Sequence, residues 1–411
     1  MADSSTFIAR RLYYLDWLRV LAFAILIIAN CAEVFGSHKW WIANPETNEN
    51  ISYVLIFFRQ WRMPLLFIIS GVAVSVMLER KSITAFIEDR FWRILVPLIS
   101  GMLLVVPPMI FYIWRAQGNT IAFQDFYLGL LDLKWFPDGN LHWLHLWYLA
   151  FVFMFSIGIV PVVKYFKNEK GKLVIDKLAQ TLSRPAVLFP LVLFFHLPYY
   201  AAQNYFTGDN VSSLLKYFPF FLFGCFFFTN IQVQNTFMSK RKFAFFAGIL
   251  TSIILYVFIW TNDGFSAIMT RLNMPDFIFQ TCKLALLSLN QWFWVITFSG
   301  FALRYLNFGN NFLSYANRAI YPFYIFQQPV IIIIAYYLIP VDASIVLKFI
   351  MLLTATFLII LITYELLLKR FSFLKLMFGI RTEIHLKKLF PRAKKLIGQL
   401  APYLVRSVRS S

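Results

Sequence analysis

Long apolar runs alternate with short polar ones along almost the whole chain. Each run is close to the roughly 20 residues that a helix needs to cross the hydrocarbon of a bilayer. Ten stretches meet that length: 17–36, 58–79, 93–114, 143–163, 185–202, 212–229, 243–261, 281–303, 319–339 and 345–368. The pattern predicts an all-α, polytopic bundle of about ten transmembrane helices over 1–368, followed by a basic cytoplasmic tail over 369–411. In that tail Leu386, Leu389, Phe390, Leu396 and Leu400 punctuate a cationic segment, which reads as an amphipathic helix lying on the inner leaflet. The first span carries Asp16, Arg19, Asn30 and Glu33 and lacks a small-residue cleavage site, so it reads as a membrane span and not as a cleaved signal. Only 164–184 and the tail look like extended polar stretches.

Composition agrees with that reading. The chain is 60% hydrophobic and only 14% charged, against about a quarter charged in a soluble protein. Its net charge of +19 would suit a nucleic-acid partner, but the placement of the cations decides otherwise. With both termini cytoplasmic, 28 of the 38 Lys and Arg residues fall on the cytoplasmic side and 7 on the other. Such a bias is the positive-inside rule at work, and it assigns the charge to topology and to anionic lipid. Nucleic acid drops out as a partner. Cys31, Cys225 and Cys282 lie scattered in apolar runs, without the paired spacing of a zinc site or a disulfide framework.

Polar side chains inside spans are costly and point to function. Arg19 and Asn30 are eleven residues apart. At about 100° and 1.5 Å per residue they share one helix face, about 16 Å apart. Glu33 lies beside Asn30 and Asp16 one turn below Arg19, so the first span carries a polar stripe from one leaflet to the other. It is either a hydrogen-bonded seam between helices or the wall of a water-filled cavity. Topology sorts the rest into an outer layer (Asn30, Glu33, His38, Arg62, His142, His145) and an inner layer (Arg19, Arg90, Arg93, Glu365), with Ser70, Gln327 and Gln328 near mid-depth. Arg90 and Arg93 are either cytoplasmic anchors or a guanidinium clamp for a phosphate-bearing donor. His142 and His145 are three apart but have no third metal ligand at a suitable spacing, and Trp143, Trp147 and Tyr148 read as an interfacial aromatic belt. No metal is expected.

Several segments together resemble the membrane acyltransferase-3 family, in the branch that contains the glucan-succinylating proteins of osmoregulated periplasmic glucan synthesis. They are YYLDWLRVLAFAILIIAN at 13–30, GSHKWWIAN at 36–44, WRMPLLFIISG at 61–71, the Arg90–Arg93 to Pro97 stretch, LHLWYL at 144–149, YANRAIYPFYIFQQPVIIIIAYY at 315–337, and YELLLKR with LMFGIR between 364 and 381. The resemblance covers essentially the whole chain, in order. It implies a multi-pass protein of the bacterial cytoplasmic (inner) membrane that carries out O-acyl transfer. The donor would be acyl-CoA or a similar acyl thioester on the cytoplasmic side, with no permanently bound cofactor. The acceptor would be a carbohydrate hydroxyl of a cell-envelope glycan, and membrane lipid the remaining partner. On this basis Asn30, Glu33, His145 and Gln327 are the candidate catalytic residues. Arg19, His38, Arg62, Ser70, Arg90, Arg93, Trp147 and Asn317 are the candidate substrate-binding ones.

The chain departs from the family pattern where chemistry is concentrated. The family's Arg is followed eleven residues later by His, whereas here Arg19 is followed by Asn30. The family's Leu-His-Gln is Phe326, Gln327 and Gln328, and Asn317 is followed by Arg318 where an acid is common. Alcohol attack on a thioester needs a base near neutral pH, and imidazole has the right pKa. Asn and Gln cannot accept that proton. Three readings stay open: another base serves, with Glu33 and His145 ahead of the loop residue His38; the protein is an inactive relative that binds or transports a ligand; or Asn30 or Gln327 replaces a natural His to trap a complex.

Overall fold

The computed structural model describes residues 12–38, 40–166, 168–196, 209–257, 271 and 275–380. The expected tail helix lies outside the described residues, apart from its first dozen positions. The first helices are α1 (Tyr13–Glu33), α2 (Glu49–Arg80), α3 (Ile83–Arg90), α4 (Val96–Leu104), α5 (Val106–Ala116) and α6 (Phe123–Leu128). The next are α7 (Trp147–Gly158), α8 (Val160–Phe166), α9 (Glu169–Leu182) and α10 (Pro185–Leu188). The last are α11 (Asp209–Phe226), α12 (Ile231–Leu255), α13 (Asp276–Tyr305), α14 (Asn311–Leu338), α15 (Ile345–Ile362) and α16 (Ser372–Met377). Among the described residues there is no β-strand, only two isolated bridges. The protein is an all-α polytopic membrane protein.

Among the described residues six helices are long and apolar enough to cross a membrane, and up to nine crossings result if each of three bent helix pairs is one span. The difference from ten lies at 212–229 and 243–261. They fall in one pair, Ser212–Phe226 with Ile231–Leu255, whose axes turn by 114°. The stretch at 164–184 is also more ordered than its polarity suggests. Asn168 caps α9 by accepting from the Gly171 N–H at 2.6 Å.

Contacts divide the chain into two compact units, the first built from 1–22, 52–76 and 164–313, the second from 23–51, 77–163 and 314–411. In the first unit, α2 and α11 cross backbone to backbone. A Cβ at Gly71 would overlap the Phe221 carbonyl oxygen, and one at Gly224 the Ile68 carbonyl oxygen. Small residues permit such approach where no hydrophobic drive operates between helices in lipid. Between α12 and α13 a polar seam centres on Asn290, whose Nδ2 donates to the Gly248 carbonyl (3.0 Å) and to the Thr251 and Ser252 hydroxyls (both 2.8 Å). Pro64 interrupts α2 and leaves the Gln60 carbonyl without its i+4 N–H. Gln291 Nε2 donates to that oxygen at 2.6 Å.

The second unit has a core of Ile27, Cys31, Val34 and Phe35 against Ile331, Ala335, Leu338 and Leu352. The chain after α1 is tied down by the Asn44 N–H on the Val34 carbonyl (2.8 Å) and the Asn48 N–H on the Phe35 carbonyl (2.9 Å). Lys348, a cation inside an apolar helix, is buried and satisfied: its Nζ donates to Asn44 Oδ1 (3.2 Å) and to the Ile339 carbonyl (2.8 Å).

Gly224→Ala should force the α2–α11 crossing apart. A loss of about 1–3 kcal/mol, the usual range for overpacking, should appear as a lower melting midpoint of purified protein. Gly158→Ala, where a Cβ meets nothing within 4 Å, should leave the midpoint unchanged or slightly raised. Equal melting of the two variants would contradict the crossing.

Candidate functional site

The two positions where the resemblance expects histidine meet in the second unit. Asn30 on α1 donates through Nδ2 to Gln327 Oε1 on α14 at 2.9 Å. Phe23, two turns before Asn30 on the same face, packs edge-on against Tyr324 (ring centroids 5.3 Å), so α1 meets α14 through an aromatic contact and an amide pair. Gln327 is almost fully buried and Asn30 partly so. Each amide keeps further N–H groups after the mutual bond. The pair can offer donors to a developing negative charge, but it cannot take a proton.

His145 can. It lies in a single 3-10 turn, Leu144–Leu146, just before α7, and is buried. Pro329 sits inside α14 and has no N–H to give the Ile325 carbonyl four residues back. The imidazole takes that place, with Nε2 on the Ile325 oxygen at 2.8 Å. A carbonyl only accepts, so Nε2 carries the hydrogen and Nδ1 keeps its lone pair. Nδ1 is buried and has no hydrogen-bond partner. The backbone is held from the other side as well, because the Tyr324 hydroxyl donates to the His145 carbonyl. The ring is therefore fixed in position and in tautomer, with one basic nitrogen open.

His142 is different. Its Nδ1 accepts the Leu144 N–H at 2.7 Å and so helps start the 3-10 turn. Burial pushes its pKa below the usual imidazole value, which favours the neutral ring that this bond requires.

Elsewhere in the unit, charges gather on Asp89, a residue that sequence reasoning passed over. Its carboxylate holds Lys81 Nζ (2.7 Å), Arg93 Nε (3.3 Å) and an Arg90 terminal nitrogen (3.4 Å). Arg90 is buried, with its guanidinium over the Phe86 ring and a terminal N–H directed at Met77 Sδ. That is no solvated anchor. Arg93 is half-exposed and stands in a π-helical turn, Phe91–Leu95. Glu365 occupies a second π-helical turn, Thr363–Leu368, and accepts from the Tyr315 hydroxyl (2.8 Å) and from Lys369 (3.0 Å). Such turns are rare and frequent at functional sites.

Of the other candidates in this unit, Glu33 is buried at the end of α1, His38 is exposed in the loop beyond it, and Trp147 starts α7, edge-on to Phe151 (5.2 Å). Both amide atoms of Asn317 are buried without a hydrogen-bond partner. Arg19, Arg62 and Ser70 belong to the first unit. There Arg19 stands 4.0 Å from Asp16, Arg62 is buried, and Ser70 is half-buried one residue before the Gly71 crossing. Tyr321 and Tyr324 join Asp89 as residues the sequence left unmarked. For the tyrosines the available signal was helical spacing, since Asn317, Tyr321, Tyr324 and Gln328 recur at four, three and four residues on one face of α14.

Against known proteins, the profile of a family described as an acyltransferase domain (the acyltransferase-3 type) matches residues 12–365. The chain belongs to this acyltransferase family. It is similar to the glucans biosynthesis protein C of Shigella dysenteriae serotype 1 (strain Sd197), 23% identical over 345 residues that span 81% of this chain and 85% of the relative. The protein of that name from Escherichia coli O1:K1 / APEC is 23% identical with the same coverage, and that of Escherichia coli strain K12 / DH10B is 22% identical. No solved structure matches. The acyltransferase assignment makes the question of a base concrete, because the chain keeps the family's extent while two amides face each other where the resemblance expects imidazoles.

The coupling of His145 to Pro329 has a measurable signature. His145→Phe should strand the Ile325 carbonyl and cost about 1–3 kcal/mol. Adding Pro329→Ala restores an N–H within the helix, and the double variant should regain most of that loss in chemical or thermal unfolding. Additive losses would contradict the bond.

Proposed function

We propose that this acyltransferase moves an acyl group from a cytoplasmic thioester donor to a sugar hydroxyl of a cell-envelope glucan, with His145 as general base. Its seat in this reading is the bacterial inner membrane, with ten spans and both termini on the cytoplasmic side. The observation that carries the proposal is the buried, partnerless Nδ1 of His145 on a ring whose tautomer is already set. The relatives' name, glucans biosynthesis protein C, supports a glucan acceptor, and the positive-inside bias supports a cytoplasmic donor.

The chemistry runs as an ordinary acyl transfer. His145 Nδ1 accepts the hydroxyl proton as the sugar oxygen attacks the thioester carbonyl carbon. The tetrahedral oxyanion is met by N–H groups of the Asn30–Gln327 pair, whose orientation is fixed by their mutual bond before substrate arrives. Collapse of that intermediate breaks the carbon–sulfur bond, and the thiolate takes the proton back from the imidazolium. The amides serve as charge-stabilising donors and the histidine as the proton carrier, a division that needs no imidazole at position 30 or 327. Buried Glu33, one turn from Asn30, is the second candidate for the base.

The test is transfer from a short acyl-CoA to a glucan by purified protein in liposomes. His145→Ala should lower turnover about 100-fold, within the range for a lost general base, and Glu33→Gln should change it less. Asn30→His should not be required for activity. If the wild-type protein is inert and Asn30→His creates activity, the base assignment is wrong.

A further inference from the structure

The inner half of α14 holds buried polar atoms that the acyl-transfer step does not use. Asn317 Oδ1 and Nδ2, the Tyr321 hydroxyl and Arg90 Nε are all shielded from solvent and lack a hydrogen-bond partner. They belong together. Asn317 and Tyr321 are one turn apart on one face of α14, and Arg90 lies within electrostatic reach of Tyr321. Gly379, at φ +68°, packs close to the tyrosine ring, since an added Cβ would stand 2.7 Å from Tyr321 Cε1 and 3.1 Å from the Arg93 carbonyl oxygen. Buried polar groups in native proteins are nearly always paired, and unpaired ones call for a ligand or ordered water.

The mixture of donors and acceptors selects the ligand class. Arg90 Nε and Asn317 Nδ2 donate only, Asn317 Oδ1 accepts only, and the tyrosine hydroxyl does either. A phosphate or carboxylate would satisfy the donors but press its oxygen against Asn317 Oδ1. The Arg90 charge, moreover, is already shared with Asp89. A neutral secondary amide carries both kinds of group, an N–H suited to Asn317 Oδ1 and a carbonyl oxygen suited to Asn317 Nδ2, Arg90 Nε or the Tyr321 hydroxyl. From Asn317 to Gln328 the same face of the helix then runs about 16 Å, passing Tyr324, whose hydroxyl holds the His145 backbone.

Resting on the proposed thioester donor, we infer that Asn317, Tyr321 and Arg90 form the subsite for the amide-bearing arm of a pantetheine-type donor. The anionic head would be left to the more exposed Lys81 and Arg93. This replaces the reading of Arg90 as a phosphate clamp.

Isothermal titration of the full chain in nanodiscs tests it, with coenzyme A and 3′-phosphoadenosine 5′-phosphate as probes. Asn317→Leu and Tyr321→Phe should each weaken coenzyme A binding about tenfold, as expected for a lost buried hydrogen bond, and leave the nucleotide unchanged. Tyr321→Phe removes a single oxygen and keeps the test valid if Asn317→Leu does not fold. Unchanged coenzyme A binding in both variants would overturn the subsite, leaving those atoms to water while the donor assignment stands. Equal weakening of both probes would overturn it too, because the arm would then not be what these residues read. A wild-type protein that binds no coenzyme A would remove the donor assignment and the subsite with it.

Discussion

A backbone carbonyl released by proline inside a membrane has no water to turn to, and at three prolines among the described residues a side chain from elsewhere in the same unit takes it up. Pro64 releases the Gln60 carbonyl to Gln291, Pro107 releases the Leu103 carbonyl to the Tyr127 hydroxyl (2.6 Å), and Pro329 releases the Ile325 carbonyl to His145. An unmet carbonyl in hydrocarbon costs several kcal/mol, whereas a made hydrogen bond contributes about 1 kcal/mol net. The asymmetry explains why each bond persists. It ties elements distant in sequence, 291 to 60 and 145 to 325, without relying on apolar contact that lipid would supply equally well.

In the third case the structural bond also prepares the chemistry. Because the Ile325 oxygen can only accept, the imidazole must present Nε2–H to it, and the open nitrogen follows from that requirement. A histidine ring free to rotate would divide its time among tautomers and rotamers. Here the proline, the carbonyl and the Tyr324 hydroxyl settle both before a substrate arrives. Asn30 and Gln327 are likewise fixed by each other. The charged end of the unit follows different physics: three cations around Asp89 leave an excess of positive charge, with Arg90 held in the interior and Lys81 and Arg93 reaching outward.

Much of this was legible in the residue pattern. Apolar runs located the helices, and Asn30 and Gln327, both singled out as candidates from the sequence, share a hydrogen bond. The assignment of His38 to a solvated loop agrees with its exposure. Other features were not legible for identifiable reasons. A proline announces which carbonyl it frees, but not which side chain from 180 positions away will fill it. Asp89 was hidden between cations in a loop-like run, since its role depends on how α3 and the following π-helical turn wrap Arg90 and Arg93 around it. Tyr321 looked like one aromatic among many, in a chain that is 19% aromatic. Only its buried, unpaired hydroxyl distinguishes it. The turn of 114° between Ser212–Phe226 and Ile231–Leu255 is likewise not encoded by hydropathy.

The central claim is that Pro329, through the Ile325 carbonyl, holds His145 with its hydrogen on Nε2 and its lone pair on Nδ1. Nitrogen-15 NMR of histidine-labelled protein in nanodiscs near neutral pH reads this directly, with the His145 resonances assigned by their loss in His145→Phe. The account predicts a protonated, donor-type Nε2 and an unprotonated Nδ1 in a single slowly exchanging form. A protonated Nδ1, or an averaged mixture of tautomers, would contradict it.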